Sequence, residues 1–213
     1  MPINKKKFHV KVEYIEEILG TSSANKELHS EFIASKAPDA VSREEEVAAI
    51  GCDAVEEKGM TIFPKFDDGT PFLWDYQWKG FCKDAAGMLR KVDGSKSADL
   101  RAYKKEIDGL VFVEPRKIPL TMPAGGEIGE IQRPLRAQTP QGERIALAHS
   151  ETVPAGTVQE FDIVLLKDRI LPYLIEWLEY GELRGIGQWR NSGMGRFKFI
   201  ITDDAGTVLA SNM

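Results

Sequence analysis

Apolar and polar residues alternate from residue 8 to residue 14. Phe8, Val10, Val12 and Tyr14 fall on one side, and His9, Lys11 and Glu13 on the other. That period of two marks a half-buried strand. Between residues 77 and 91 the period changes. Trp78, Phe81, Cys82, Ala85, Ala86 and Leu89 recur at helical spacing, which predicts an amphipathic helix. A short apolar strand at 110–114 ends at Glu114-Pro115. Alternation returns at 158–166, with Phe161, Ile163 and Leu165 on one face. Residues 171–180 again read as a helix, striped by Ile170, Leu171, Leu174, Ile175 and Leu178. Pro172 suits its first turn, and Gly181 is a stop signal. A last alternating strand covers 196–202.

In order these elements spell βαββαβ, the split βαβ arrangement. The expectation is an α+β protein with a ferredoxin-like (RRM-like) fold: a four-stranded antiparallel sheet with two helices on one face. A single domain, 1–213, is expected to carry insertions at 21–58 and 115–151. The first insertion is polar and acidic, with helical patterns at 26–33 and 43–55. Ser42 and Glu45 form a capping-box start for the second. The other insertion holds residues 131–138 and 144–151 around a TPQGE turn, a predicted hairpin whose Pro134 belongs at an edge or bulge. Residues 61–63 and 72–74 flank Asp68-Gly69 and predict another hairpin. Residues 93–108 form a polar linker with helix-forming residues, and a turn at 203–206 leads to a short tail strand.

Composition narrows the picture modestly. A hydrophobic fraction of 42% and a charged fraction of 29% are those of an ordinary globular chain. Cys52 and Cys82 make neither a disulfide framework nor paired metal ligands. The basic N-terminus lacks the apolar run of a signal peptide, and no stretch reaches the length of a membrane span. A reducing, cytoplasmic setting is the expectation. The net charge of −5 argues against a generic nucleic-acid coat, but its distribution is uneven. Seven acids and one base, Arg43, lie between residues 39 and 57. Arg184, Arg190, Arg196 and Lys198 lie between residues 182 and 203 with no acid among them. An acidic protein can still carry a local basic face.

That acid-free stretch contains residues 185–197, GIGQWRNSGMGRF, with Gly185, Gly187, Gly193 and Gly195 around Trp189, Arg190 and Asn191. Glycines allow close backbone approach, arginine suits phosphate, and a tryptophan face suits a base. The bland alternative is a turn, with Trp189 packed on the preceding helix. In its place between the second helix and the fourth strand, the loop resembles the Gly-rich loop of the RAMP superfamily, the ferredoxin-like RNA-binding proteins of CRISPR systems. SETVPAGTVQEFDIV at 150–164 is similar to that family's run into the strand before the second helix. WKGFCKDA at 78–85 resembles the lysine-glycine helix start of its crRNA-binding backbone branch. That start is usually preceded by Pro-Gly-Ser-Ser, where this chain has Trp74-Asp75-Tyr76-Gln77.

The resemblance implies a protein that holds single-stranded, crRNA-like RNA within a CRISPR-type or mobile-element ribonucleoprotein. Self-association or other ribonucleoprotein subunits are the implied protein partners, with no membrane, metal or cofactor. Lys79, Lys83, Arg133, Arg136, Arg184, Arg190 and Arg196 are the candidate phosphate contacts, with Arg144 extending the track, and Trp189 is the candidate base platform. Asn191 and the amides of Gly187, Gly193 and Gly195 complete the candidate site. Two other readings stand beside this one. One is a RAMP-type endoribonuclease, for which His29 is the least unsuitable general acid/base among His9, His29 and His149; Asp39, Asp53 and Asp67 fall where some relatives keep a cleaving aspartate. The other is a phage or mobile-element interaction protein that mimics or blocks a defence-complex subunit.

Overall fold

The computed structural model describes residues 3, 5–23, 60–139 and 142–213, with backbone alone for 134–139 and 142–147. Beyond Ser23, the predicted helical insertion lies outside the described residues, and with it His29, Asp39, Cys52 and Asp53. The strands are β1 (Lys6–Tyr14), β2 (Ile18–Leu19), β3 (Ser22–Ser23), β4 (Met60–Ile62), β5 (Phe72–Trp74), β6 (Val111–Glu114), β7 (Lys117–Pro119), β8 (Gly129–Thr139), β9 (Gly142–Val153), β10 (Val158–Leu165), β11 (Phe197–Asp203) and β12 (Val208–Ser211). The α-helices are α1 (Asp75–Leu89), α2 (Tyr103–Leu110) and α3 (Leu171–Arg184).

This is an α+β architecture. The main sheet runs β12-β11-β1-β10-β6, and every neighbouring pair is antiparallel. The alternation at the start of the chain thus marks the central strand. Phe8, Val10, Val12 and Tyr14 are buried beneath the helices, and β10 and β11 add Phe161, Ile163, Leu165, Phe197, Phe199 and Ile201 to the same core. Trp78, Phe81, Cys82 and Ala85 of α1 and Leu174, Trp177 and Leu178 of α3 close over that layer. Burial pushes the Cys82 thiol up to about 12, so it behaves as a core apolar group.

Three expectations change. Residues 61–63 and 72–74 are not two arms of one hairpin. The Asp68-Gly69 turn forms, with Gly69 at φ 85° and the Thr70 amide donating to Asp68 Oδ1, but a single bridge, Lys65 to Pro71, continues it. β4 then pairs with β3 and β9, while β5 pairs with β7. The predicted 131–151 hairpin does form, as β8 and β9, but it builds a second sheet with β2, β3 and β4. Gly181 does not stop α3. The helix continues to Arg184, and a Cβ at Gly181 would lie 2.2 Å from the Phe197 ring. Gly181 therefore admits an aromatic ring rather than ending a helix.

The 93–108 segment is docked as well. It contains a short 3₁₀ turn, Lys96–Asp99, followed by α2. Glu176 of α3 accepts from the Lys96 amide, the Ser97 amide and the Ser97 hydroxyl at 2.7, 3.0 and 2.5 Å, and Trp177 Nε1 donates to the same hydroxyl. Burial alone pushes the Glu176 carboxyl up. The Ser97 and Lys96 donors outweigh it and hold the group below its ordinary value.

Gly181→Ala is expected to destabilise by about 1–3 kcal/mol, because Phe197 has nowhere to move, and urea unfolding measures it. Glu176 contributes stability that is full above the ordinary glutamate value, about pH 4.3, and lost as pH falls through its lowered value. Glu176→Gln therefore flattens the acid limb of the stability–pH curve, read by thermal melts from neutral pH downward.

Candidate nucleic-acid interface

The Gly-rich loop is pinched shut at its base. Gly185 ends α3 at φ 70°, where a Cβ would fall 2.4 Å from Met194 O. At Gly195, φ 69°, a Cβ would fall 2.0 Å from Ile186 O. Only bare backbones fit this closely. Ile186 N donates to Gly195 O at 3.0 Å, and Gly195 N to Glu17 O at 2.8 Å. Ile186 is buried beneath the crossing. The tip projects from this neck as a single 3₁₀ turn, Arg190–Ser192, entered through Trp189 at φ 51° and left through Gly193 at φ 82°.

Trp189 is the single non-glycine residue with positive φ among the described residues. A bulky side chain in that region costs about 1–2 kcal/mol, so surrounding contacts must enforce it. Its ring is half-buried, outside the main core, and the Arg133 guanidinium of β8 lies 5.7 Å from its centroid. That contact joins the loop to the second sheet.

The loop's arginines meet acids from distant parts of the chain. Arg184 Nε and Arg190 Nη1 both donate to Asp84 Oδ2 of α1, at 3.0 and 2.8 Å. Arg184 Nη1 also donates to Asn191 Oδ1 at 2.7 Å. Arg196 Nη2 donates to Glu16 Oε1 at 2.6 Å, while its buried Nε has no partner. Three guanidiniums, those of Arg184, Arg190 and Arg196, thus share two carboxylates, while Arg133 lies against the Trp189 ring. The amides of Gly193 and Gly195 are taken by Arg190 O and Glu17 O, whereas that of Gly187 has no backbone partner among the described residues.

Lys79 and Lys83 form a separate pair on α1. Lys79 Nζ donates to Asp108 O at 2.9 Å and lies over the Phe112 ring; Lys83 pairs with the Asp108 carboxylate. Burial lowers the Lys79 ammonium below its ordinary value. Arg136 and Arg144 occupy register positions on β8 and β9, opposite Ile145 and Ala137; their side chains lie outside the description. His9 meets Asp162 at 3.1 Å, His149 meets Glu130 at 3.0 Å, and Asp67 is exposed in a turn. No group of three His, Cys, Asp or Glu side chains fit to hold a metal occurs among the described residues. None of the described helices is long and apolar enough to cross a membrane.

The sheet face turned away from the helices is a weaker candidate. Lys7 and His9 are bonded to Asp162, and Lys11 lies 3.4 Å from Glu160. Burial pushes the Asp162 carboxyl up, but Lys7 and His9 hold it below its ordinary value. Rows of opposite charge cancel there, whereas at the loop Arg184 and Arg190 share a single carboxylate.

Asp84 and Glu16 were beyond sequence reasoning. Asp84 lies 100 positions from Arg184, and only the docking of α1 beside α3 brings them together.

No family model matches the chain, and no curated protein matches it. Among solved structures it does have a relative in shape. It is similar to a chain of the cryo-EM structure of the Type III-B Cmr-beta bound to cognate target RNA, with a TM-score of 0.53 and 12% identity. The match covers 93% of this chain and 61% of that one, so this chain spans under two thirds of its neighbour. What the two share is a fold.

Asp84→Ala is expected to cost about 1–2 kcal/mol, between an exposed and a buried ion pair, because it strips both arginines of their carboxylate. Limited trypsin digestion should then cut faster at Arg184 and Arg190 than in the parent protein.

Proposed function

We propose that this protein binds single-stranded RNA through the loop at 185–196, as a RAMP-like subunit of a ribonucleoprotein on a ferredoxin-like frame. The observation that carries the reading is Trp189. It is held in a costly left-handed conformation, half exposed, with Arg133 over its ring and Arg184 and Arg190 sharing one carboxylate beside it. A flat face flanked by surplus guanidiniums is what stacking and phosphate contact require. The strand order β11-β1-β10-β6 supports the frame, and the likeness to a chain from an RNA-bound Type III-B assembly supports a crRNA-like ligand and ribonucleoprotein neighbours.

In this reading the loop's neck is rigid and the tip is the contact. Phosphates compete with Asp84 for Arg184 and Arg190, and Asn191 keeps Arg184 oriented. Arg133 extends the track onto the second sheet, with Arg136 further along the same strand.

The chain has four tryptophans, and Trp74, Trp78 and Trp177 are at most 1% exposed. Intrinsic fluorescence quenched by RNA therefore reports Trp189. Single-stranded RNA is expected to quench it. Trp189→Ala is expected to weaken binding by about tenfold to a hundredfold, the equivalent of ~1–3 kcal/mol of stacking, with an unchanged melt. Undiminished binding by Trp189→Ala and by Arg184→Ala with Arg190→Ala would overturn the reading.

A further inference from the structure

Behind the Asp84 carboxylate that holds the loop lies an open cavity of about 520 Å³ on the outer face of α1. Gly87 and Tyr103 line it, and Lys83, Asp84, Arg90 and Lys91 ring it. The bare glycine makes room for the tyrosine: a Cβ at Gly87 would lie 3.0 Å from Tyr103 Oη. The Tyr103 ring is half-buried, and the Arg90 guanidinium sits 5.6 Å from its centroid. Lys83 is engaged by Asp108, and Asp84 is engaged twice by the loop. Arg90 and Lys91 are exposed and have no carboxylate partner among the described residues. A helix C-terminus attracts cations by its dipole, which accounts for a base just past Leu89. It does not account for a concave, tyrosine-walled site whose one acid is already neutralised.

Resting on the RNA-binding reading above, we propose that this cavity is a second station for the same strand. Arg90 and Lys91 take a backbone phosphate there, and the adjoining nucleoside lies against Tyr103. Asp84 is the wall common to the two stations, and its charge is already taken by Arg184 and Arg190. No sequence motif marks this station, because its parts come from the end of one helix and the start of the next, across a polar linker.

The test compares the parent protein, Arg90→Glu with Lys91→Glu, Lys91→Glu alone and Trp189→Ala, using labelled single-stranded oligouridine over a range of salt. The double variant is expected to weaken binding by about tenfold or more and to flatten the plot of log affinity against log salt by roughly 0.7 for each phosphate it no longer neutralises. Lys91→Glu, farther from the Tyr103 ring, should show a smaller change of the same kind with an unchanged melt. At saturating RNA both should retain the Trp189 quench. If the double variant keeps the parent's affinity and salt slope while Trp189→Ala weakens binding, this inference falls and the loop reading stands. If the parent protein binds no oligouridine, both fall.

Discussion

One buried amide ties the main sheet, the first helix and the β5–β7 ribbon together. Gln159 lies on the core face of β10, 1% exposed, where the alternation of the strand calls for an apolar side chain. Its Oε1 accepts from Tyr14 Oη of β1 at 2.8 Å and from Trp78 Nε1 of α1 at 3.2 Å, and its Nε2 donates to Ile118 O of β7 at 2.9 Å. Removing the amide would strand two donors and an acceptor, each worth about 1–3 kcal/mol when buried and unpaired. Around it Trp78 packs against Phe161, Phe81 and Phe197 with ring centroids 4.5–5.8 Å apart. The polar tie fixes orientation, and the aromatic layer supplies the burial.

The loop depends on that layer through Phe197. Phe197 packs under Gly181 and begins β11, directly after Arg196 closes the loop. With the ring seated, α3 and β11 are held at one distance, and the chain between them has to cross itself at Gly185 and Gly195. The neck then leaves Trp189 little freedom. A contact surface on a loop gains precision when the scaffold sets both ends, and here both ends are set by a core aromatic.

The six frame elements were legible in the hydrophobic periods, because each buries one face against the same core. Their register and the second sheet were not. β2 and β3 are two residues each, too short to show a period, and β4 pairs in parallel with β9 across a long sequence separation. Gly181 was misread because a glycine that admits a ring and one that ends a helix look alike in sequence. In the site, Trp189, Arg190 and Arg184 were visible as residue types in an acid-free window. Their electrostatic state was not, since Asp84 and Glu16 come from elements distant in sequence.

On the proposed RNA-binding reading, those carboxylates bear on selectivity. An arginine pair already satisfied by Asp84 gains little from an isolated anion, which must displace the carboxylate and bring nothing else. A nucleic-acid strand brings several phosphates at fixed spacing and a base face for Trp189, so the displaced ion pair is offset by interactions that an isolated ion cannot make. In the ligand-free protein the same ion pairs hold the arginines in place, which lowers the ordering cost of binding. On that reading, like-charged neighbours gathered on one carboxylate favour an extended polyanion over small anions. The charge rows on the open sheet face fit the same logic: Lys7 and Lys11 are committed there to Asp162 and Glu160, whereas Arg184 and Arg190 share one carboxylate.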